Sequence, residues 1–365
     1  SGFRDLSAKS KFLSVSSCLN HASLCDGKIL GKGSSNLPER ARKIASVERQ
    51  SLELTMKFSI LLFLLFTLGS SFCFSQSGRE ASFIQWVHKE PRERDLPVPD
   101  YYLHNTFFSK AAGQQVGYCI YLPRNYKADS NKRYPVIYNL HGNGGTEWDR
   151  GQECTVLHEG ILAGKWPPMI MVFPNGGKTT FYKDSYDGKL PIETMFIKEL
   201  IPYIDKNYRT IARQEGRAIE GFSMGGRGST RLVMKYPNMF CSLFCQAGNV
   251  PHTAAGYAPN SPDTYPNYYL GPDKQAYIEN DAFLLLAKNL KAIKQLRILI
   301  ACGTQDDTHI VTIREFHQAL LEHGVDHSYW ELEGLKHNRK QFIELLSPLL
   351  YDYHVESFRR AGSLD

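Results

Sequence analysis

From residue 100 onward the apolar positions fall into two alternating rhythms. Residues 114–122 alternate apolar and polar, as a half-buried strand does, while 133–140, 168–173, 217–222, 240–247 and 296–302 are near-continuous apolar runs. Such runs suit strands covered on both faces. Between them, residues 192–208 repeat Met195, Ile197, Leu200, Ile201 and Ile204 at helical spacing, and 227–236, 312–323 and 339–353 read as further helices. A last strand is predicted over 327–332. Strand and helix in turn imply an α/β chain with a mostly parallel central sheet and helices on both faces. One domain over 100–358 accounts for the pattern, with an extension over 76–99 before it and a short tail over 359–365. The stretch 251–281, rich in Pro, Asn, Gly and Tyr, is predicted as a long loop between two strands.

The first 75 residues follow a different pattern. Residues 1–55 contain none of the seven methionines and little apolar periodicity, and are read as a leader outside the protein proper. Met56-Lys57 then opens an apolar run over 60–68, followed by small residues up to Ser75. A basic start, a short apolar run and a small-residue exit describe a signal peptide over 56–75, cut before Gln76. The run falls short of the ~20 residues of a membrane span. The expectation is a secreted or periplasmic protein without a stable membrane anchor. Five cysteines then remain, Cys119, Cys154, Cys241, Cys245 and Cys302. An odd number without framework spacing argues against a disulfide scaffold, and the strand cysteines are expected to fill core. Cys241 and Cys245 lack a second ligand pair at zinc-site spacing, so no metal is expected. The net charge of +6 comes from scattered basic residues, which argues against a nucleic-acid partner.

Candidate chemistry sits at strand ends. Gly221-Phe222-Ser223-Met224-Gly225-Gly226 places a serine in a G-x-S-x-G frame between a strand and a helix. That is the layout of a nucleophile elbow, where a sharp turn exposes the hydroxyl and the following helix aims amides at developing negative charge. Upstream, the strand over 133–140 runs into His141-Gly142-Asn143-Gly144-Gly145, a glycine-rich turn of the kind that supplies a second oxyanion amide. The strand over 296–302 ends in Gly303-Thr304-Gln305-Asp306-Asp307, and the strand over 327–332 ends in Glu333-Gly334-Leu335-Lys336-His337. The order nucleophile, acid, histidine follows. Asp306 is preferred over Asp307 because it lies nearer the strand end, where Asp307 suits a turn or N-cap. His309 reads as surface or pocket wall.

These stretches, together with Glu193-Thr194 and Glu199-Leu200-Ile201-Pro202, cover nearly all of 114–350 and resemble the esterase D-like esterases. The nearest likeness is to the feruloyl and acetyl xylan esterases of carbohydrate esterase family one. The resemblance implies an α/β-hydrolase fold, a triad of Ser223, Asp306 and His337, oxyanion amides on Asn143 and Met224, and no cofactor. The chain departs from many relatives at Leu335-Lys336 and at Asn338, on either side of His337. The expected activity is a secreted serine carboxylic-ester hydrolase, feruloyl esterase-like, acting on plant cell-wall (xylan) esters. Alternatives are an acetyl xylan or aryl esterase, an S-formylglutathione hydrolase-like thioesterase, an acyltransferase or a non-catalytic binding module. The expected partner is a small-molecule or polysaccharide-linked ester. Candidate substrate contacts are His141, Gly144 and Trp148, with Tyr257 and Tyr268 from the long loop.

Overall fold

In the computed structural model, residues 84–95, 97–128, 131–257, 269–347 and 349–364 are described. The segments 1–55 and 56–75 and the loop residue Tyr268 lie outside them.

Eight strands form one sheet: β1 (Tyr102–Ser109), β2 (Gln114–Tyr121), β3 (Val136–Leu140), β4 (Ile170–Pro174), β5 (Arg217–Phe222), β6 (Ser242–Gln246), β7 (Arg297–Gly303) and β8 (Ser328–Leu332). Their order is β1-β2-β4-β3-β5-β6-β7-β8. The pairs β1–β2 and β2–β4 are antiparallel and the rest parallel. Strands β3, β4 and β6 are buried at every position, as continuous apolar runs require. The switch in strand order falls at β3, with β4 on one side and β5 on the other, so the crevice at their carboxyl ends is where an open α/β sheet holds its site.

Helices flank the sheet: α1 (Gly151–Leu162), α2, α3 (Met224–Lys235), α4 (Lys274–Ile278), α5 (Ala282–Lys288), α6 (Leu290–Ile293), α7 (Ile310–Glu322), α8 (Arg339–Leu346) and α9 (Asp352–Arg360). Helix α2 runs as Ile192–Thr194, a π-helical stretch Met195–Leu200, and Ile201–Asn207. The single helix expected over 339–353 is two. The Ser347 hydroxyl donates to the Glu344 carbonyl at 3.2 Å where α8 ends. The long segment expected as loop is partly helical: α4 lies inside it, capped by Asp273, whose side chain accepts the Gln275 N–H.

Two buried charges pin the elements that carry Ser223. Glu220, in β5, is fully buried and accepts from Asn139 Nδ2 of β3 (2.6 Å) and Gln246 Nε2 of β6 (3.1 Å), with His354 Nε2 of α9 at 3.2 Å. Glu193 of α2 meets Arg231 of α3, and also Lys235 Nζ at 2.7 Å and the Tyr236 hydroxyl at 2.5 Å. Burial opposes its charged form, yet Arg231 and Lys235 hold it down to about 2. Stripping one partner from such a buried set typically costs about 3–5 kcal/mol. The sheet and α3 are thereby locked around the turn between them.

Residues 84–95, expected as an extension outside the domain, lie against β2 and the loop after β3. The Trp86 carbonyl accepts the Gly117 N–H at 2.7 Å, and Asn175 Nδ2 donates to the Gln85 and Trp86 carbonyls.

Candidate active site

Ser223 joins β5 to α3 with φ 60° and ψ −120°, a conformation few side-chain-bearing residues adopt. The flanking glycines make room for the turn. A Cβ on Gly225 would stand 2.1 Å from the Leu140 carbonyl oxygen, and one on Gly221 would stand 2.6 Å from the Gly225 backbone. The Ser223 N–H is tied to the Gln246 carbonyl at 2.9 Å, so the strain is held by β6. Met224 is the first residue of α3, where a helix presents N–H groups lacking intrahelical acceptors.

The Ser223 hydroxyl is 2.8 Å from His337 Nε2, and His337 Nδ1 is 2.6 Å from Asp306 Oδ2. With the Nδ1–H donated to the carboxylate, Nε2 is left to accept from the serine. Asp306 follows β7 and is 2% exposed, whereas Asp307 is exposed and turned outward. The His337 side chain keeps 33% of its surface open, so the serine–histidine end of the chain of bonds faces solvent and the acid end is sealed.

The histidine loop is built by the residues that depart from many relatives. Leu335 is buried, its carbonyl accepts the Gln305 N–H at 3.0 Å, and a Cβ on Gly303 would stand 2.0 Å from that carbonyl oxygen. Asn338 caps α8 through the Gln341 N–H at 3.1 Å. Arg339 then reaches Glu153 of α1 at 2.7 Å, and the fully buried Arg150 holds the other oxygen of Glu153 at 3.0 Å. Phe222 packs against the His337 ring, with centroids 4.8 Å apart.

The loop after β3 lies beside the serine: a Cβ on Gly142 would be 3.6 Å from the Ser223 Cβ. Asn143, the next residue, is exposed. Of the other residues singled out in this loop, His141 is 1% exposed and uses both ring nitrogens within the protein. Its Nε2 accepts the Gly176 N–H at 2.9 Å and its Nδ1 bonds the Gly142 carbonyl at 2.9 Å. Burial pushes His141 down to about 4, so it is a neutral strut under the loop and has no nitrogen left for a ligand. Trp148 is likewise buried, donating Nε1–H to the His88 carbonyl at 2.6 Å and stacking on His104. Gly144, at φ 67°, has its carbonyl gripped by Arg92 Nη1 (2.7 Å) and Arg94 Nη2 (2.5 Å). Tyr257 bonds the Pro272 carbonyl at 3.0 Å through its hydroxyl.

Sequence reasoning missed that grip. Arg92 also binds Asp95 (2.7 Å) and Asp149, so residues 84–95 form a strap over the loop. Burial and the neighbouring Asp95 carboxyl push Asp149 up to about 6. Glu147, from the same loop, is buried beneath His88; burial opposes its charge, and hydrogen bonds from His104 and His88 hold it down to about 2. Isolated arginines and histidines in a polar stretch carry no sequence signal for such pairing. His309, expected as surface or pocket wall, pairs with the acid: its Nδ1 is 2.8 Å from the second oxygen of Asp306, and its ring lies flat on His337.

All five described cysteines are free and buried, and the Cys302 thiol lies 3.8 Å from Asp306 Oδ2. Ligand-type atoms of Asp306, His309 and His337 lie within 4.8 Å of one another. Each Nδ1 there already points at a carboxylate oxygen, so an ion would have to replace both hydrogen bonds.

The profile of the esterase family described as "Putative esterase" matches residues 109–353. The chain belongs to this esterase family. An esterase of Mycobacterium tuberculosis (strain ATCC 25618 / H37Rv) is 38% identical over 145 residues, which is 39% of this chain and 31% of that protein. An endo-1,4-beta-xylanase/feruloyl esterase of Xylanibacter ruminicola is 36% identical over 144 residues, 37% of this chain and 20% of that protein. The chain thus spans a third or less of the length of these curated relatives. A solved ferulic acid esterase superposes with a TM-score of 0.58 at 26% identity, covering 70% of this chain and 98% of its own. The chain has the α/β-hydrolase fold, as its motifs predict.

Proposed function

We propose that this esterase is a secreted serine carboxylic-ester hydrolase, feruloyl esterase-like, acting on plant cell-wall esters through an acyl-enzyme. The observation that carries this reading is the continuous hydrogen-bonded chain from the Ser223 hydroxyl through His337 to the sealed Asp306. In it, His337 takes the serine proton as Oγ attacks the ester carbonyl, and Asp306 holds the ring in the tautomer that leaves Nε2 basic. The amides of Met224 and Asn143 receive the oxyanion; being fixed beforehand, they cost no reorganisation as charge develops. His337 then protonates the leaving alcohol and activates the water that releases the acid. The choice of acyl group rests on the xylanase/feruloyl esterase relative and the ferulic acid esterase likeness.

Protein expressed from Met56 in a secreting host is expected outside the cytoplasm with Gln76 at its N-terminus, read by peptide sequencing. It is expected to turn over methyl ferulate faster than acetylated xylan, p-nitrophenyl acetate and S-formylglutathione. Preference for acetylated xylan or S-formylglutathione moves the assignment to those substrates. Product transferred to an added alcohol in preference to water makes it an acyltransferase.

The strap gives a separate prediction. Arg92→Ala removes one of the two donors on the Gly144 carbonyl, next to the Asn143 amide. The loss falls on transition-state binding, so kcat is expected to drop by about tenfold with KM nearly constant. Unchanged kcat in a folded Arg92→Ala protein removes the strap from the reaction.

A further inference from the structure

One carboxylate in this site serves two imidazoles. Asp306 gives Oδ2 to His337 at 2.6 Å and Oδ1 to His309 at 2.8 Å, and its side chain is 1% exposed. The His309 and His337 rings are 4.1 Å apart and tilted by only 5°, a flat stack. His309 is anchored by its own backbone. Its N–H donates to the Asp306 carbonyl at 3.0 Å, and the Ile310 N–H to the same carbonyl at 2.9 Å, so acid and second histidine form one turn at the start of α7. Its side chain is 13% exposed.

We propose that His309 is a positioning residue that fixes the Asp306 carboxylate and the plane of the His337 ring, so that of two stacked imidazoles only His337 carries the proton during turnover. This rests on the hydrolase reading above. The geometry divides the labour. A carboxylate with one donor is free to rotate about its Cβ–Cγ bond; a donor on each oxygen removes that freedom and keeps Oδ2 aimed at Nδ1. The stacked ring packs flat on His337, which also packs against Phe222. Two cations at this separation would repel. Burial, and next the neighbouring His337, lower the affinity of His309 for a proton, so it stays a neutral donor beside the imidazolium. The other charged or ionisable groups facing the pair are Arg227 of α3 and Cys302 of β7. Arg227 further disfavours a charge on His309, and the Cys302 thiol is held protonated by burial and Asp306.

His309→Phe keeps a flat, water-excluding ring and deletes the donor. With Oδ1 unpaired, more of the carboxylate charge is felt by His337. The acid limb of kcat/KM, which reports the free enzyme's base, is then expected to move to higher pH by at least about half a unit. The kcat is expected to fall about tenfold, the size of one lost charge-assisted hydrogen bond, with KM within twofold. His309→Asn carries an amide N–H near the Nδ1 position and is expected to restore both the limb and most of kcat. His309→Leu, also without a donor, replaces Phe if the larger ring unfolds the protein. The His337 ring titration, followed by NMR in the same proteins, reads the same shift without any substrate. No ester turnover by wild type defeats the hydrolase reading alone. A His337 titration and acid limb identical in wild type, His309→Phe and His309→Asn overturn the role of His309.

Discussion

Ser223→Ala is expected to lower kcat on an ester by about 10⁶-fold, to the level that oxyanion amides and binding sustain alone. Ser223 Oγ is the one hydroxyl bonded to His337 Nε2, so no other side chain receives its base. Ligand affinity is expected to survive, because a serine hydroxyl contributes little to ground-state binding. The fold is expected to survive as well. The strained turn is held by backbone contacts to Gln246 and Leu140 and not by the hydroxyl. Stability, measured by thermal unfolding, therefore stays close to wild type while turnover collapses. Wild-type turnover in this variant places the nucleophile elsewhere.

Asp306→Asn is expected to lower kcat by about 10⁴-fold. The amide would present an N–H where Asp306 now accepts from His337 Nδ1, which favours the tautomer whose Nε2 carries the proton and cannot take one from serine. Here the same substitution also disturbs His309, because both oxygens of Asp306 are engaged. Rotating the amide to serve one histidine turns its N–H on the other. Asp307→Asn, on an exposed side chain, is expected to change kcat by less than about twofold. Steady-state kinetics on the two variants distinguishes them, and a reversed order assigns the acid to Asp307.

Much of this arrangement is legible in the residue pattern because it is imposed by backbone demands. Strand β5 falls over Arg217–Phe222 as the apolar run predicts, and the glycines at 221 and 225 stand where a Cβ meets backbone atoms within 3 Å. Asp306 and His337 are found from their places after β7 and β8. Residues that act through pairing are the ones the pattern hides. Glu220 sits in an apolar strand with nothing in its neighbours to announce Asn139, Gln246 and His354, which come from three other elements. The strap over 84–95 reads as a polar extension because its arginines are matched only in space. His141 and Trp148 read as candidates for substrate contact, yet their polar atoms are spent on Gly176 and His88, which makes them scaffold. Helix α1 was not predicted: it opens on Gly151 and buries the charged Glu153, which break the apolar spacing. Strand β1, with only three buried positions in eight, shows too weak an alternation to be read.

The central claim is that Ser223 forms a covalent bond with the acyl group. It is tested most directly by treating wild type and Ser223→Ala with a serine-directed phosphonate and mapping the adduct by peptide mass spectrometry. The account predicts a single adduct on the peptide holding Ser223 in wild type and none in Ser223→Ala. An unlabelled wild type, or an adduct retained by Ser223→Ala, contradicts it.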